Sequence, residues 1–263
     1  MTDPARFLAR VRQAAEAGRA YRVHAILRDP AIAYLGAEGD LCQRLAAEID
    51  AVGGQAVLVD DQPAAAEVLR QWLTAADARS ALCWQHPLLQ SLGVSKLLSD
   101  AQIQRWDAQT LNELPLHERR ARMLACDVGI TSCDVAIAES GTLVMCARPG
   151  QERVASLLPP WHVAIVHRQQ IVPDLVDALA LLAANAGQPA SHADSSPGAE
   201  RATFPPSFRG PPDVQPAANE SFLPGLPSNI TLITGPSKTG DMELQLTTGV
   251  HGPAHWRVII IRH

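Results

Sequence analysis

The sequence predicts an α/β fold, a sheet covered by helices on both faces, and three observations carry that prediction. A helical pattern over Leu41 to Ala51 is stopped by Gly53-Gly54 and followed at once by the apolar run Gln55 to Val59. The same order returns with a helix from Pro63 to Ala76 and a short strand over Ser80 to Trp84. Two later apolar runs, Trp161 to Val166 and Trp256 to Ile261, have the length of buried strands.

Ahead of this pattern, Phe7, Leu8, Val11, Ala14 and Ala15 are helically spaced within Ala5 to Arg19, so residues 1–36 read as an N-terminal helical segment. Residues 37–263 form the main α/β domain. Leu88 to Asp107 is less regular, with a strand expected near Leu97 and a capped turn at Ser99-Asp100. A charged helix follows over His117 to Leu124. The segment Val135 to Met145 reads as a hairpin turning at Ser140-Gly141. The strand at Trp161 leads into an apolar helix, Pro173 to Ala186. Residues 187–228 then hold nine of the twenty prolines and read as a long surface loop or insertion. Ile230 to Thr234 and Trp256 to Ile261 are expected to return the chain to the same sheet.

Composition narrows the function classes. Close to half of the 263 residues are apolar, enough for a sizeable core, and 22 basic against 27 acidic residues give a net charge of −5. Neither sign forms a long block and aromatic residues are few, which argues against nucleic acid and a charged membrane surface as partners. The first residues lack a signal-peptide core and no apolar run reaches membrane-span length, so a cytoplasmic protein is expected. Cys42, Cys83, Cys126, Cys133 and Cys146 have no Cys-x-x-Cys spacing, which argues for buried thiols and against a cluster held by this chain. Histidines, cysteines and carboxylates show no metal-ligand spacing, so no metal is expected.

The densest concentration of functional residue types follows Ile230 to Ile233. Thr234-Gly235-Pro236-Ser237-Lys238-Thr239-Gly240 has the look of a glycine turn entering a helix, whose free amides hold an anion. Asp241-Met242 stands where a nucleotide-binding loop carries Lys-Ser or Lys-Thr, which rejects a Walker-type site. Asp241 and Glu243 either face a ligand or complement the helix dipole. Gly249-Val250-His251-Gly252-Pro253 places an imidazole between glycines, where it serves as a proton-transfer group or as a hydrogen-bonded loop residue. Glu139, at a strand end before Ser140-Gly141-Thr142, offers a carboxylate base or nucleophile, or an ordinary turn residue. Thr131 and Ser132 supply hydroxyls to the same pocket or satisfy strand-end amides.

Taken together, Gly129-Ile130-Thr131, Ala138-Glu139-Ser140-Gly141-Thr142, Leu158-Pro159, Gly235-Pro236-Ser237 with Asp241-Met242-Glu243, and Gly249 to Pro253 resemble the LUD domain, or lactate-utilisation, family. The resemblance runs from about Leu116 to the C-terminus. It implies a parallel-rich sheet flanked by helices, similar to the ribose-phosphate isomerase and coenzyme A transferase fold. It also implies a role in oxidation of L-lactate to pyruvate beside partner proteins that carry the iron-sulfur clusters, with no cofactor in this chain. In that reading Glu139 and His251 handle protons. Thr131, Ser140, Gly141, Thr142, Gly235, Ser237, Asp241, Glu243 and Gly252 line a site for a small anion. Fold analogy leaves open a stand-alone isomerase or acyl/CoA transferase using Glu139, and a scaffold or regulatory subunit with a relic pocket is the third reading.

Overall fold

The computed structural model describes residues 36–185, 229–240 and 246–263, with residues 9, 10, 13 and 227 as isolated positions. The expected N-terminal helix, nearly all of the 187–228 segment, Asp241 and Glu243 lie outside the described residues. The chain divides into two units, Met1–Leu35 and Gly36–His263, and the second contains the elements below.

Helix α1 (Leu41–Ala51) starts where the Asp40 carboxylate accepts hydrogen bonds from the amides of Cys42 and Gln43. Its Cys42, Leu45, Ala46 and Ile49 recur at helical spacing and are buried. Strand β1 (Gln55–Val59) follows, then α2 (Gln62–Ala75), capped by Asp61 with Pro63 in its first turn, then β2 (Ser80–Cys83). The first helices and strands thus fall within a residue or so of their predicted bounds. The region around Leu97 corrects the reading of a strand there: Val94, Leu97 and Leu98 have i, i+3, i+4 spacing and form one buried face of a helix. It comprises α3 (Pro87–Ser91), α4 (Val94–Asp100), β3 (Gln104–Trp106) and α5 (Ala108–Asn112), the last opened by a reciprocal cap between Asp107 and Thr110. Helix α6 (Leu116–Leu124) leads to β4 (Val128–Thr131), β5 (Val135–Ile137) and β6 (Thr142–Cys146). Then come α7 (Val154–Leu157), β7 (Trp161–His167), β8 (Ile171–Val172), α8 (Leu175–Asn185), β9 (Ile230–Ile233), β10 (Lys238–Gly240), β11 (Leu246–Thr248) and β12 (His255–Ile261).

Six strands make a wholly parallel sheet in the order β1-β12-β7-β4-β2-β3, flanked by helices. The central strands β12, β7 and β4 are buried on both faces and rich in Val and Ile, whereas the edge strands β1 and β3 are only partly buried. Contrary to the expectation of one sheet, a second sheet of four strands, β8-β5-β6-β9, and a separate hairpin, β10-β11, are also present. Strand β12 enters the parallel sheet as predicted. Strand β9 does not: it pairs antiparallel with β6, Leu143 opposite Ile233 and Cys146 opposite Ile230.

The second sheet exists because β5 and β6 are apolar on both faces. Leu143 and Met145 join the main core, whereas Val144 and Cys146 face a smaller cluster with Ala178 and Leu182 of α8. The chain changes sheets at 132–134. There the Asp134 carboxylate accepts from the Cys146 amide at 2.6 Å and pairs with Arg148. Gln170, just after β7, donates to the Ser132 hydroxyl at 3.2 Å and to the Cys133 carbonyl. These bonds give the corner's polar groups partners within the protein.

A transverse row of aligned residues, Gly54, Trp256, His162, Gly129 and Leu82, crosses the parallel sheet on one face. A Cβ at Gly129 would lie 1.7 Å from the Ala155 carbonyl oxygen, and one at Gly54 would lie 2.5 Å from the Trp256 ring. The glycines therefore set how closely α7 and the indole approach the sheet. Gly129→Ala should force α7 outward and cost about 1–3 kcal/mol or more. A lowered urea midpoint would show it, and an unchanged midpoint would mean that α7 shifts freely.

Candidate functional site

The structure sorts the predicted site residues into three groups. The first surrounds the C-terminal half of α1. Gly141 and Gly235 have φ of 64° and 97°, which glycine adopts without strain. A Cβ on Gly141 would lie 2.8 Å from the Glu48 carbonyl carbon and the Ile49 nitrogen, and one on Gly235 would lie 3.0 Å from the Val52 carbonyl oxygen. Both turns thus press against the helix backbone. Beside them, hydroxyls form a chain: Ser140 to Thr142 at 2.8 Å, and Thr142 to Thr234 at 2.7 Å. Glu139, half-buried, has its amide bonded to the Pro173 carbonyl at 3.2 Å.

This arrangement corrects the reading of an anion cradle at a helix start. Lys238–Gly240 is a strand paired with Leu246–Thr248, not the first turn of a helix. β-branched Thr239 and Gly240 are poor helix formers, and pairing satisfies their backbone groups. The helix end nearest Gly235 is the C-terminus of α1, whose carbonyls carry the negative end of the dipole. Lys238 meets it, donating from Nζ to the Val52 carbonyl at 2.7 Å.

The second group lies at the N-terminal edge of the parallel sheet. The Ser237 amide donates to the Pro253 carbonyl at 2.8 Å, and the Gly249 amide to the Ser237 carbonyl at 2.9 Å. Gly252 abuts the Ser237 side chain and the Leu157 carbonyl. His251 is exposed beside them. The Ala254 and His255 amides both donate to the Pro160 carbonyl, at 3.0 and 3.1 Å, so the Leu158-Pro159 and His251-Gly252-Pro253 segments meet at one edge.

The third group centres on Thr131, which is fully buried. Its hydroxyl shares a 2.9 Å hydrogen bond with Nε2 of His162, also fully buried. Desolvation pushes the His162 imidazole down to about 3, so it stays neutral near pH 7. Its Nδ1 and the indole nitrogen of neighbouring Trp256 are both buried without a hydrogen-bond partner among the described residues. The Trp256 benzo edge lies toward Gly54, so the indole nitrogen is on the edge away from it. Sequence reasoning passed over His162 as one of several scattered histidines. The available signal was a histidine directly before the apolar run Val163 to Val166.

A cavity of about 240 Å³ lies farther along the same face, lined by Leu82 and Cys83 with residues of α5, α6 and α7. None of the predicted site residues lines it. All five cysteines are buried free thiols, and burial pushes Cys83 and Cys146 up to about 12 and Cys126 up to about 11. Among the described residues, no group of three or more histidines, cysteines and carboxylates is placed to hold a metal ion, and no helix is long and apolar enough to cross a membrane.

With the geometry in place, comparison with known proteins is decisive about family. The family model of the LUD domain matches residues 42–198 and 214–261. The chain belongs to the LUD domain family. Lactate utilization protein C of Halalkalibacterium halodurans is 29% identical over 184 residues, 70% of this chain and 63% of that one. The protein of the same name from Macrococcus caseolyticus is 31% identical over 181 residues, 68% of this chain and 60% of that one. The chain thus spans about three fifths of the length of these relatives. A DUF162 family protein from Deinococcus radiodurans has a crystal structure with a TM-score of 0.48 and 19% identity, covering 84% of this chain and 96% of that one. The LUD match takes in β4, the hairpin of β5 and β6, and β12, so it covers Thr131, Glu139, His162 and His251 together.

The buried imidazole gives the LUD domain an acid sensitivity of defined sign. Unfolded His162 titrates at its ordinary 6.5, whereas the folded side chain resists protonation down to about 3, so between these values the unfolded state binds more protons. The stabilisation from keeping His162 neutral is complete above pH 6.5 and is lost as pH falls, by at most about 1.4 kcal/mol per pH unit. Urea midpoints between about pH 7.5 and about 4.5 should show this slope, and His162→Gln should flatten it. An equal slope in both proteins would place the sensitivity elsewhere.

Proposed function

We propose that this chain acts in lactate utilization, as the non-cluster subunit of a cytoplasmic iron-sulfur complex that oxidises L-lactate to pyruvate. The observation that carries the reading is the LUD domain match over most of the chain, with relatives named lactate utilization protein C. In the reaction L-lactate loses two electrons and two protons. The electrons pass to clusters in the partner proteins.

This chain's contribution is to bind a small anion and move protons. His251, exposed next to Ser237 and Gly252, and Glu139, half-buried at the end of β5, are the proton-handling groups of the reading. Asp241 and Glu243 follow Ser237 by four and six positions in the sequence and belong to the polar set of this reading. Thr131 acts by fixing the neutral His162 ring, and Ser140, Gly141, Thr142 and Gly235 by seating their turns on α1.

Deleting the chain from its host should abolish growth on L-lactate while growth on pyruvate continues. Complementation with His251→Ala should slow L-lactate oxidation in extracts by about 10²-fold or more if the imidazole transfers a proton. Normal growth of the deletion strain on L-lactate would remove the proposal. Full activity of both His251→Ala and Glu139→Gln would leave the chain a scaffold.

A further inference from the structure

Arg257, half-buried in β12, lies between two indoles. Its guanidinium carbon is 5.1 Å from the ring centroid of Trp72 on α2 and 4.3 Å from that of Trp161 at the start of β7. The His255 ring also stacks on Trp161, with centroids 4.3 Å apart and planes 30° from parallel. His255 and Trp161 are aligned on adjacent strands, so the stack stands at the N-terminal edge of the sheet, on the α2 face. It lies directly beyond the edge where the Pro160 and His251-Gly252-Pro253 segments meet.

Other half-buried arginines use their forks within the protein. Arg105 pairs with Asp107 at 2.7 Å, and Arg119 donates to the carbonyls of Leu111, Asn112 and Leu114. Arg257 differs. Among the described residues its guanidinium contacts ring faces, with no carboxylate in ion-pairing range and no hydrogen-bond acceptor. Its charge is partly desolvated, which lowers its pKa. A partly desolvated cation whose donors meet no acceptor among the described residues carries a cost that an anion would relieve.

We propose that Arg257, framed by Trp72 and Trp161 and flanked by His255, is a subsite for the carboxylate of a small organic monoanion. The planar fork matches a carboxylate through two parallel N–H···O bonds, and its packing over two indole rings restrains it before the ligand arrives. Low-polarity ring walls strengthen the pairing relative to open water. One fixed cation suits a monoanion, whereas a phosphate dianion is usually met by several backbone amides or a helix N-terminus. The subsite stands on this geometry and does not rest on the lactate reading.

The test is titration of the full chain with L-lactate and acetate, followed through the indole N–H signals of Trp72 and Trp161 by nuclear magnetic resonance. L-Lactamide serves as the uncharged analogue and inorganic phosphate as the competing oxyanion. Saturable shifts with the carboxylates are expected, absent with L-lactamide, and weakened about tenfold or more in Arg257→Gln and Arg257→Lys. Circular dichroism checks that each variant folds, and Arg257→Lys, which keeps the charge and stem, decides the matter if the glutamine variant unfolds. The proposal is overturned by an absence of saturable shifts, by equal response to L-lactamide, by tighter binding of phosphate, or by unchanged affinity in the folded variants. A deletion strain that still grows on L-lactate would leave the subsite intact and count only against the lactate role.

Discussion

The flush contact of α7 on β4 at Gly129 is the constraint on which the rest of the molecule depends. Backbone touches backbone there, with the Ala155 carbonyl in the space that any side chain would take. Gly129 belongs to the row that also contains His162, Trp256 and Gly54, so the closeness of the upper layer is set across four adjacent strands at once. A layer packed so closely cannot admit water freely. His162 finds one partner there, the Thr131 hydroxyl, and its desolvated ring must remain neutral.

The same economy of space explains the second sheet. Strands β5 and β6 are buried on both sides, by the main core and by α8, and so have no polar face. Their backbone groups are satisfied by β8 and β9 and by the Asp134 and Gln170 side chains at the corner. The turns at Gly141 and Gly235 are consequences of this stacking. Both turns, side by side at one end of the sheet, must clear the backbone of α1, and only residues without a Cβ do so there. Part of what marks this family in sequence is therefore architectural, a set of glycines that let three layers meet.

Chemistry gathers at the edge where those layers end. The loops carrying Ser237 and Gly252 are tied by backbone bonds to each other and, through Pro160, to the start of β7. That tying brings the exposed His251 near the beginning of the strand that carries His255 and Arg257. On one side of the sheet the edge residues lead to a neutral, enclosed imidazole. On the other they lead to a cation held between rings. A charged group and an uncharged one thus arise from the same two strands, because alternate residues point to opposite faces.

Much of this was legible in the residues themselves. The Gly53-Gly54 stop separates α1 from β1, because glycine breaks act locally. The hairpin at Ser140-Gly141 was visible for the same reason, as were the cysteines' apolar surroundings. The helix at Leu97 was missed through a wrong choice of period over a short apolar run. What the sequence by itself determined was local: the elements, their ends, and the residues that identify the LUD domain. Which sheet β9 joins, the strand at Lys238 in place of a helix, the pairing of Thr131 with His162 and the isolation of Arg257 between Trp72 and Trp161 were decided only by tertiary structure. Apart from the Lys238 hairpin, whose strands are neighbours in sequence, each depends on residues between 31 and 185 positions apart brought together by packing, and local spacing carries no record of such partners.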